Sequence, residues 1–259
     1  MSTQITTELV KELRDATGIS VMHCKRALEE AGGDMAKAIA ILKKTSSDIA
    51  LKKSERNAKD GSVIIKGDDK KSVLLALHSE TDFVSRNDDF VLLLNQLVDI
   101  AFKDGIENMK EVSKEMIDPI IQKTGENIQL GDAFQVTGGV LGNYIHNNKK
   151  AVIVNLEGGT PELARDIAMH YTAMKPEYIS KEDITAEAKQ TMNEIFQKEV
   201  AGINKPEDIK KKMLDGKIAT YFKEKTLLDQ PFIKNPDQTI GQLLDSAKAK
   251  IKEIKSYSI

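Results

Sequence analysis

The stretch LLALHSETDFVSRNDDFVLLLNQLV, residues Leu74–Val98, joins a strand-like apolar run to a helical apolar pattern through a polar connector. The apolar run ends at His78, and helical periodicity resumes at Phe90. Between them, Thr81-Asp82-Phe83-Val84 places a large aromatic ring in an acid-rich segment. Such connectors are usually polar, so this tetrapeptide is the first candidate for a functional segment.

The segments on either side of this connector indicate an α+β fold. Two strand-like runs precede it and are joined by the turn Gly67–Lys70, which predicts a β-hairpin. In chain order, the predicted elements are strands at 62–66 and 72–77, helices at 90–102 and 109–123, and a strand at 133–136.

The same pattern then recurs. Residues 149–152 match residues 70–73 at an offset of 79, whereas the helix at 163–171 matches the helix at 90–98 at an offset of 73. We infer a duplicated strand–strand–helix core. The first copy carries six more residues between strand and helix than the second. These extra residues fall on the connector, so the fold itself does not demand them.

The first part of the chain predicts a compact bundle of three short helices. Thr6, Ser20 and Asp34 each precede an apolar helical pattern and are suitable N-caps. Residues 43–59 follow, with six Lys or Arg and few large apolar side chains. We interpret this segment as a linker that is in part helical. Its charge suits either a solvated connector or a contact with RNA or an acidic partner.

The last part of the chain predicts a helical hairpin inserted into the second copy. Two helical patterns, Thr185–Ala201 and Pro206–Lys225, are joined by a short link. Thr239 then caps a helix, and residues 251–259 alternate like a final strand. The predicted organisation is a module at 1–45, a linker at 46–60, a first core subdomain at 61–139, a second at 140–181 and 226–259, and the hairpin at 182–225.

Composition narrows the class of protein. The chain has 259 residues, a net charge of −2 and one cysteine, Cys24, so neither a strongly basic surface nor a disulfide framework is expected. The first residues lack the apolar core of a signal peptide, and no apolar run is long enough to span a bilayer. We therefore expect a cytoplasmic protein with no membrane partner.

No set of residues assembles an active site. The phosphate-binding patterns G-x-x-x-x-G-K-[ST] and G-x-G-x-x-G are both missing, and Cys24 lies on an apolar helix face. His78, Glu80 and Asp82 alternate like metal ligands, but the two acids fall beyond the predicted strand. We expect no enzyme activity, no cofactor and no metal. Phe83 either folds back onto its own core or anchors a protein interface, and the extra residues around it favour the interface.

Several segments resemble bacterial elongation factor Ts. They are Leu9–Arg14, Thr17-Gly18, Met22–Leu28, Thr81–Val84, Ile167–His170, Gln230–Phe232 and Gly241–Leu244. The resemblance runs from Lys11 to about Leu244, and Val21 and His23 depart from the family's usual methionine and aspartate. It implies a UBA-like amino-terminal module, a duplicated α+β core and a helical hairpin.

The resemblance also implies a function. Elongation factor Ts is a guanine-nucleotide exchange factor for elongation factor Tu, the GTPase that delivers aminoacyl-tRNA, and it binds the nucleotide-free GTPase most tightly. The family's connector enters beside the nucleotide, where it disturbs the magnesium site and the phosphate-binding loop. The implied contact residues are Thr81, Asp82, Phe83 and Val84 of the connector, Arg14, Met22 and Lys25 of the module, and His170 and Ile233 of the second copy.

An alternative is a binding module associated with the ribosome or the nascent chain, which would use the helical module and the basic segment. Such a module would bind in an RNA-dependent and salt-sensitive manner. An exchange factor requires no nucleic acid for binding its GTPase.

Overall fold

Helices and small antiparallel sheets alternate along the chain, and the predicted α+β fold class is confirmed. The computed structural model describes residues 5–259. Residues 1–4, which belong to the predicted first module, lie outside the described residues.

The helices are α1 (Thr7–Thr17), α2 (Val21–Glu30), α3 (Met35–Lys53), α4 (Asp82–Ser85), α5 (Asp88–Asp104), α6 (Ile106–Thr124), α7 (Pro161–Met174), α8 (Ala186–Ala201), α9 (Glu207–Lys225) and α10 (Ile240–Ser246). The strands are β1 (Asp60–Gly67), β2 (Lys71–Ser79), β3 (Gln129–Thr137), β4 (Val140–His146), β5 (Lys150–Glu157), β6 (Pro231–Phe232), β7 (Asn235–Thr239) and β8 (Lys250–Ser258).

The first three helices form the predicted small bundle. The side chains of Thr6, Ser20 and Asp34 each accept a hydrogen bond from a backbone N–H in the first helical turn, as expected for N-caps. The bundle has an apolar core of its own, to which all three helices contribute. Its buried residues are Val10, Leu13, Ile19, Cys24, Ala27, Leu28, Ala38 and Leu42.

Helix α3 is longer than the sequence predicts and includes much of the expected linker. It continues to Lys53, and only residues 54–59 lie between it and β1. Ser47 donates a hydrogen bond to Asp118 of α6 at 2.6 Å, and Ser46 bonds to Gln122 of the same helix. Ala50 is buried in the core of the first sheet. The fully buried residues of this part of α3, Ser46 and Ala50, are small, so hydrophobic periodicity alone does not reveal the buried face.

The two copies of the core have the same sheet topology. One sheet has the order β1-β2-β3 and the other β4-β5-β8. In each sheet, the first two strands are consecutive in the chain, and a later strand pairs with the second of them. In the first hairpin, Ser62 pairs with Leu77 in an antiparallel register. The middle strands β2 and β5 are buried along most of their length, which explains their nearly continuous apolar sequences.

In the second copy of the core, strand β4 packs closely against helix α7. At Gly142 of β4, an added Cβ would lie 2.1 Å from the backbone of Ala164 in α7. Only glycine permits that contact. The last helices, α8 and α9, pair through Phe196 and Tyr221, whose ring centroids are 5.8 Å apart, as expected for the predicted hairpin.

The described chain forms two compact units. The first contains the described residues up to Val136 together with 145–151 and 255–259, and the second contains 137–144 and 152–254. We retain as proposals the finer divisions at 1–45, 61–139, 140–181 with 226–259, and 182–225. The linker at 46–60 differs from the structure, because its first eight residues continue α3.

The packing of α3 on the first sheet leads to a prediction. We expect Ala50→Glu to lower the free energy of unfolding by about 3 kcal/mol, because it forces a charge into an apolar core. Leu51→Glu is the matched control, since Leu51 is 74% exposed, and we expect a change within about 0.5 kcal/mol. Urea unfolding of both variants measures this difference, and equal stabilities would show that this part of α3 does not pack as described.

Candidate partner-binding site

The connector between β2 and α5 exposes an aromatic ring. It contains the four-residue helix α4, in which Val84 packs against the core of the first sheet while Phe83 is 85% exposed. Neighbouring residues on a helix point about 100° apart, so the Val84 side chain is half-buried while that of Phe83 faces solvent. Among the large apolar side chains of residues 5–259, that of Phe83 is the most exposed.

The carboxyl-terminal end of α4 is fixed by a charged cluster. Ser85 is buried, and its hydroxyl donates to the carboxylate of Asp60 at 2.7 Å. The Lys149 ammonium also donates to Asp60 at 2.6 Å. Burial by itself would raise the pKa of Asp60, but hydrogen bonds from Lys149, Ser85 and the Gly61 N–H outweigh it and hold the pKa below its usual value. Asp60 therefore keeps its negative charge and remains paired with Lys149.

The amino-terminal end of α4 is fixed by Glu126, in the turn after α6. The Glu126 carboxylate accepts the Thr81 N–H at 3.0 Å and the Thr81 hydroxyl at 2.6 Å. Asn127 follows, and its N–H donates to Glu80 at 2.7 Å. The sequence analysis missed these residues. No local pattern identifies them, because each partner lies more than forty positions away.

Asp82 begins α4 and pairs with Arg86 one turn later at 3.2 Å. The three residues considered as metal ligands have separate partners. His78 hydrogen-bonds to the Tyr257 hydroxyl at 2.8 Å, and Glu80 faces Asn127 and Arg56. Within residues 5–259, no group of three or more His, Cys, Asp or Glu side chains has a geometry for holding a metal ion.

The first module presents a second candidate surface. Arg14 and Lys25 line a surface pocket of about 280 Å³ together with Val10 and Val21. Met22 is 62% exposed. Lys11 is a third cation in the lining, and this combination of apolar and cationic side chains suits a partner surface that carries apolar and acidic side chains.

In the second unit, His170 is placed differently from a direct contact residue. It is fully buried on α7, and its Nδ1 accepts the Ile233 N–H at 3.2 Å. With Nδ1 as acceptor, the proton lies on Nε2, which donates to the Gln230 side chain at 3.0 Å. Ile233 itself is 46% exposed. His170 therefore holds the Gln230–Ile233 segment, and Ile233 is the residue that faces solvent.

In the part of the chain that the structure describes, no helix is long and apolar enough to cross a membrane.

Comparison with known proteins gives a consistent result. The family model described as Elongation factor TS matches residues 80–259. A protein named Elongation factor Ts from Hahella chejuensis is 39% identical over 98% of this chain and 92% of its own length. Proteins of the same name from Cellvibrio japonicus and Pseudomonas aeruginosa are 40% and 37% identical, over 96% and 99% of this chain and 88% and 91% of their own lengths.

The buried histidine leads to a pH prediction. Burial lowers the pKa of His170 below its usual 6.5, although the bond with Gln230 opposes this. The unfolded chain therefore binds a proton at His170 more readily than the folded protein does. The stability that neutral, buried His170 contributes is complete above pH 6.5 and is lost as the pH falls through the lowered pKa. We expect the difference in free energy of unfolding between wild type and His170→Gln to become smaller on acidification.

Denaturant unfolding on both sides of pH 6.5 measures this gap. His146→Gln serves as the control, because it makes the same substitution at an exposed histidine. A gap that stays constant or widens on acidification would contradict the assigned state of His170.

Proposed function

The chain belongs to the elongation factor Ts family, and from this premise we propose that it releases GDP from elongation factor Tu by placing Asp82 and Phe83 beside the bound nucleotide. The observation that carries the proposal is the 85% exposure of Phe83 on a helix whose two ends are both held by hydrogen bonds. The family consists of translation elongation factors, so the chain has a role in protein biosynthesis. We propose that it acts in the cytoplasm.

The thermodynamics of exchange sets the requirement for this site. A protein that weakens nucleotide binding must bind the nucleotide-free GTPase more tightly than the GDP-bound form, because the coupling between the two ligands is reciprocal. Contacts that form only when the nucleotide site is disturbed provide that difference. A contact that is equal in both states would raise affinity without promoting exchange.

The ring of Phe83 suits this requirement in size and position. Burying a phenyl side chain contributes about 1.5–3 kcal/mol. Each 1.4 kcal/mol changes an affinity about tenfold, so one ring supplies roughly one to two decades of nucleotide displacement. The ring is exposed before binding, and its neighbours Val84 and Ser85 are anchored in the protein. Little conformational freedom is therefore lost when it enters a partner.

Further contacts contribute the remaining affinity. We propose that Arg14, Met22 and Lys25 of the first module, and Ile233 of the second unit, contact the GTPase directly. His170 then acts indirectly, since its side chain is buried and holds the backbone of Ile233. In the connector, Thr81 and Val84 position Asp82 and Phe83 and do not themselves contact the partner.

Replacing Phe83 tests the proposal. We expect Phe83→Ala to slow the release of labelled GDP from the cognate GTPase by about one to two decades, because it removes the buried ring. Stability should change by less than about 0.5 kcal/mol, since the side chain is solvent-exposed in the free protein. Leu51→Ala is the matched control, because Leu51 is also exposed and lies on α3. Undiminished GDP release by a folded Phe83→Ala protein would contradict the proposal.

Replacing Asp82 distinguishes positioning from electrostatic competition for magnesium. Asp82 pairs with Arg86 and begins α4, which favours a positional role. The amide in Asp82→Asn matches the carboxylate in shape, so we expect most of the exchange activity to remain. GDP release against magnesium concentration should give parallel curves for wild type and variant. A changed magnesium dependence confined to the variant would instead identify Asp82 as an electrostatic competitor near the metal.

A further inference from the structure

We propose that Glu126 is a positioning residue for exchange: its carboxylate locks Thr81, and thereby sets the orientation in which α4 presents Phe83. The inference rests on the proposed function of the connector. The geometry is specific, because one oxygen accepts the Thr81 N–H at 3.0 Å and the other accepts the Thr81 hydroxyl at 2.6 Å. Both donors of Thr81 are thus held by a single side chain.

A helix of four residues requires such external support. Isolated helices this short are not stable in water, because nucleation fixes several residues for very few hydrogen bonds. In α4 the usual internal support is missing, since the Thr81 side chain makes no capping bond to the helix backbone. Its hydroxyl is given to Glu126 instead. Hydrogen bonds hold both ends of the helix: Thr81 bonds to Glu126 and accepts from the Ser79 hydroxyl at the beginning, and Ser85 bonds to Asp60 and accepts from the Ser62 hydroxyl at the end.

The support for Glu126 is itself rigid. Gly125 ends α6 with φ 79°, and its N–H bonds to the Ile121 carbonyl. Asn127 is buried, and its side-chain amide donates to the carbonyl oxygens of Ser54 and Arg56 at 3.3 and 2.6 Å. The Glu126 backbone is thus held between a helix end and a buried asparagine. Its side chain reaches the connector from a fixed point.

Position and charge make different demands on residue 126. A glutamine at this position retains an oxygen for the Thr81 N–H and offers an amide N–H to the Thr81 hydroxyl, so it preserves both contacts without the charge. An alanine removes both contacts. If Glu126 acts by positioning, the Glu126→Gln variant retains exchange activity and the Glu126→Ala variant loses it. If its charge contacts the partner directly, both replacements fail equally.

The experiment uses the absence of tryptophan from the chain. Phe83→Trp introduces a single tryptophan at the tip of the connector, and the anisotropy of its fluorescence, excited apart from that of the five tyrosines, reports local mobility in the free protein. We expect Glu126→Ala to lower that anisotropy and, in the chain with Phe83 intact, to slow GDP release about tenfold, as two lost hydrogen bonds allow. Glu126→Gln should remain close to wild type in both measurements. Glu107→Ala is the control for loss of an exposed carboxylate on α6.

The results separate this inference from the function on which it rests. Slow release by Phe83→Ala together with normal release by Glu126→Ala would overturn the positioning role and leave the proposed function standing. Equal loss in Glu126→Ala and Glu126→Gln with unchanged anisotropy would overturn it in favour of a direct charge contact. Normal release by Phe83→Ala would overturn both.

A second variant guards against unfolding of Glu126→Ala. Thr81→Val removes only the hydroxyl contact and retains the N–H contact, so a smaller loss of anisotropy and of exchange is expected. If Thr81→Val leaves both readouts at the wild-type level, the hydroxyl contact has no positioning role and the inference fails.

Discussion

The carboxylate of Asp60 accepts hydrogen bonds from the neighbouring Gly61 N–H and from two groups that are distant in the sequence, the Ser85 hydroxyl and the Lys149 ammonium. A partly buried ion pair is stable only when its remaining hydrogen-bonding positions are also satisfied. Beside Lys149, the Ser85 hydroxyl and the Gly61 N–H supply such hydrogen bonds to Oδ1 of Asp60, and together these bonds outweigh burial and lower the pKa of Asp60. The end of α4 is thereby joined to the start of β1 and to the segment after β4. The direction in which Phe83 projects depends on this cluster.

The relation between the two core copies explains why the connector is free to carry function. Both copies build a three-stranded sheet with the same strand order. The second copy joins its strand to its helix through residues 158–160, whereas the first uses residues 80–87. Lengthening a surface loop changes its closure entropy only slowly, so the added residues weaken the core little. Their own order comes from hydrogen bonds to Glu126 and Asp60 and from the packing of Val84 against the core.

Local signals predicted much of this structure, and long-range contacts account for what they missed. Caps such as Thr6 and Asp34 act within one helical turn, so their residue types identify the helix starts directly. The full length of α3 and its packing on the core were not predicted, because its buried positions Ser46 and Ala50 are small and lie among lysines in the sequence. Glu126 has no local signature at all. For His170, the sequence indicated importance, but only the structure shows that the ring supports Ile233 from within.

The unbroken course of α3 has a consequence for the entropy of association. Ala38 and Leu42 belong to the core of the first module, and Ala50 belongs to the core of the first sheet. A helix of nineteen residues is about 28 Å long and curves only gently. For a partner that touches both the module and the connector, this helix is a stiff spacer, and the second contact forms at a high effective concentration once the first exists. Translational and rotational freedom is then lost once for two contacts, an advantage that a disordered tether of equal length would not provide.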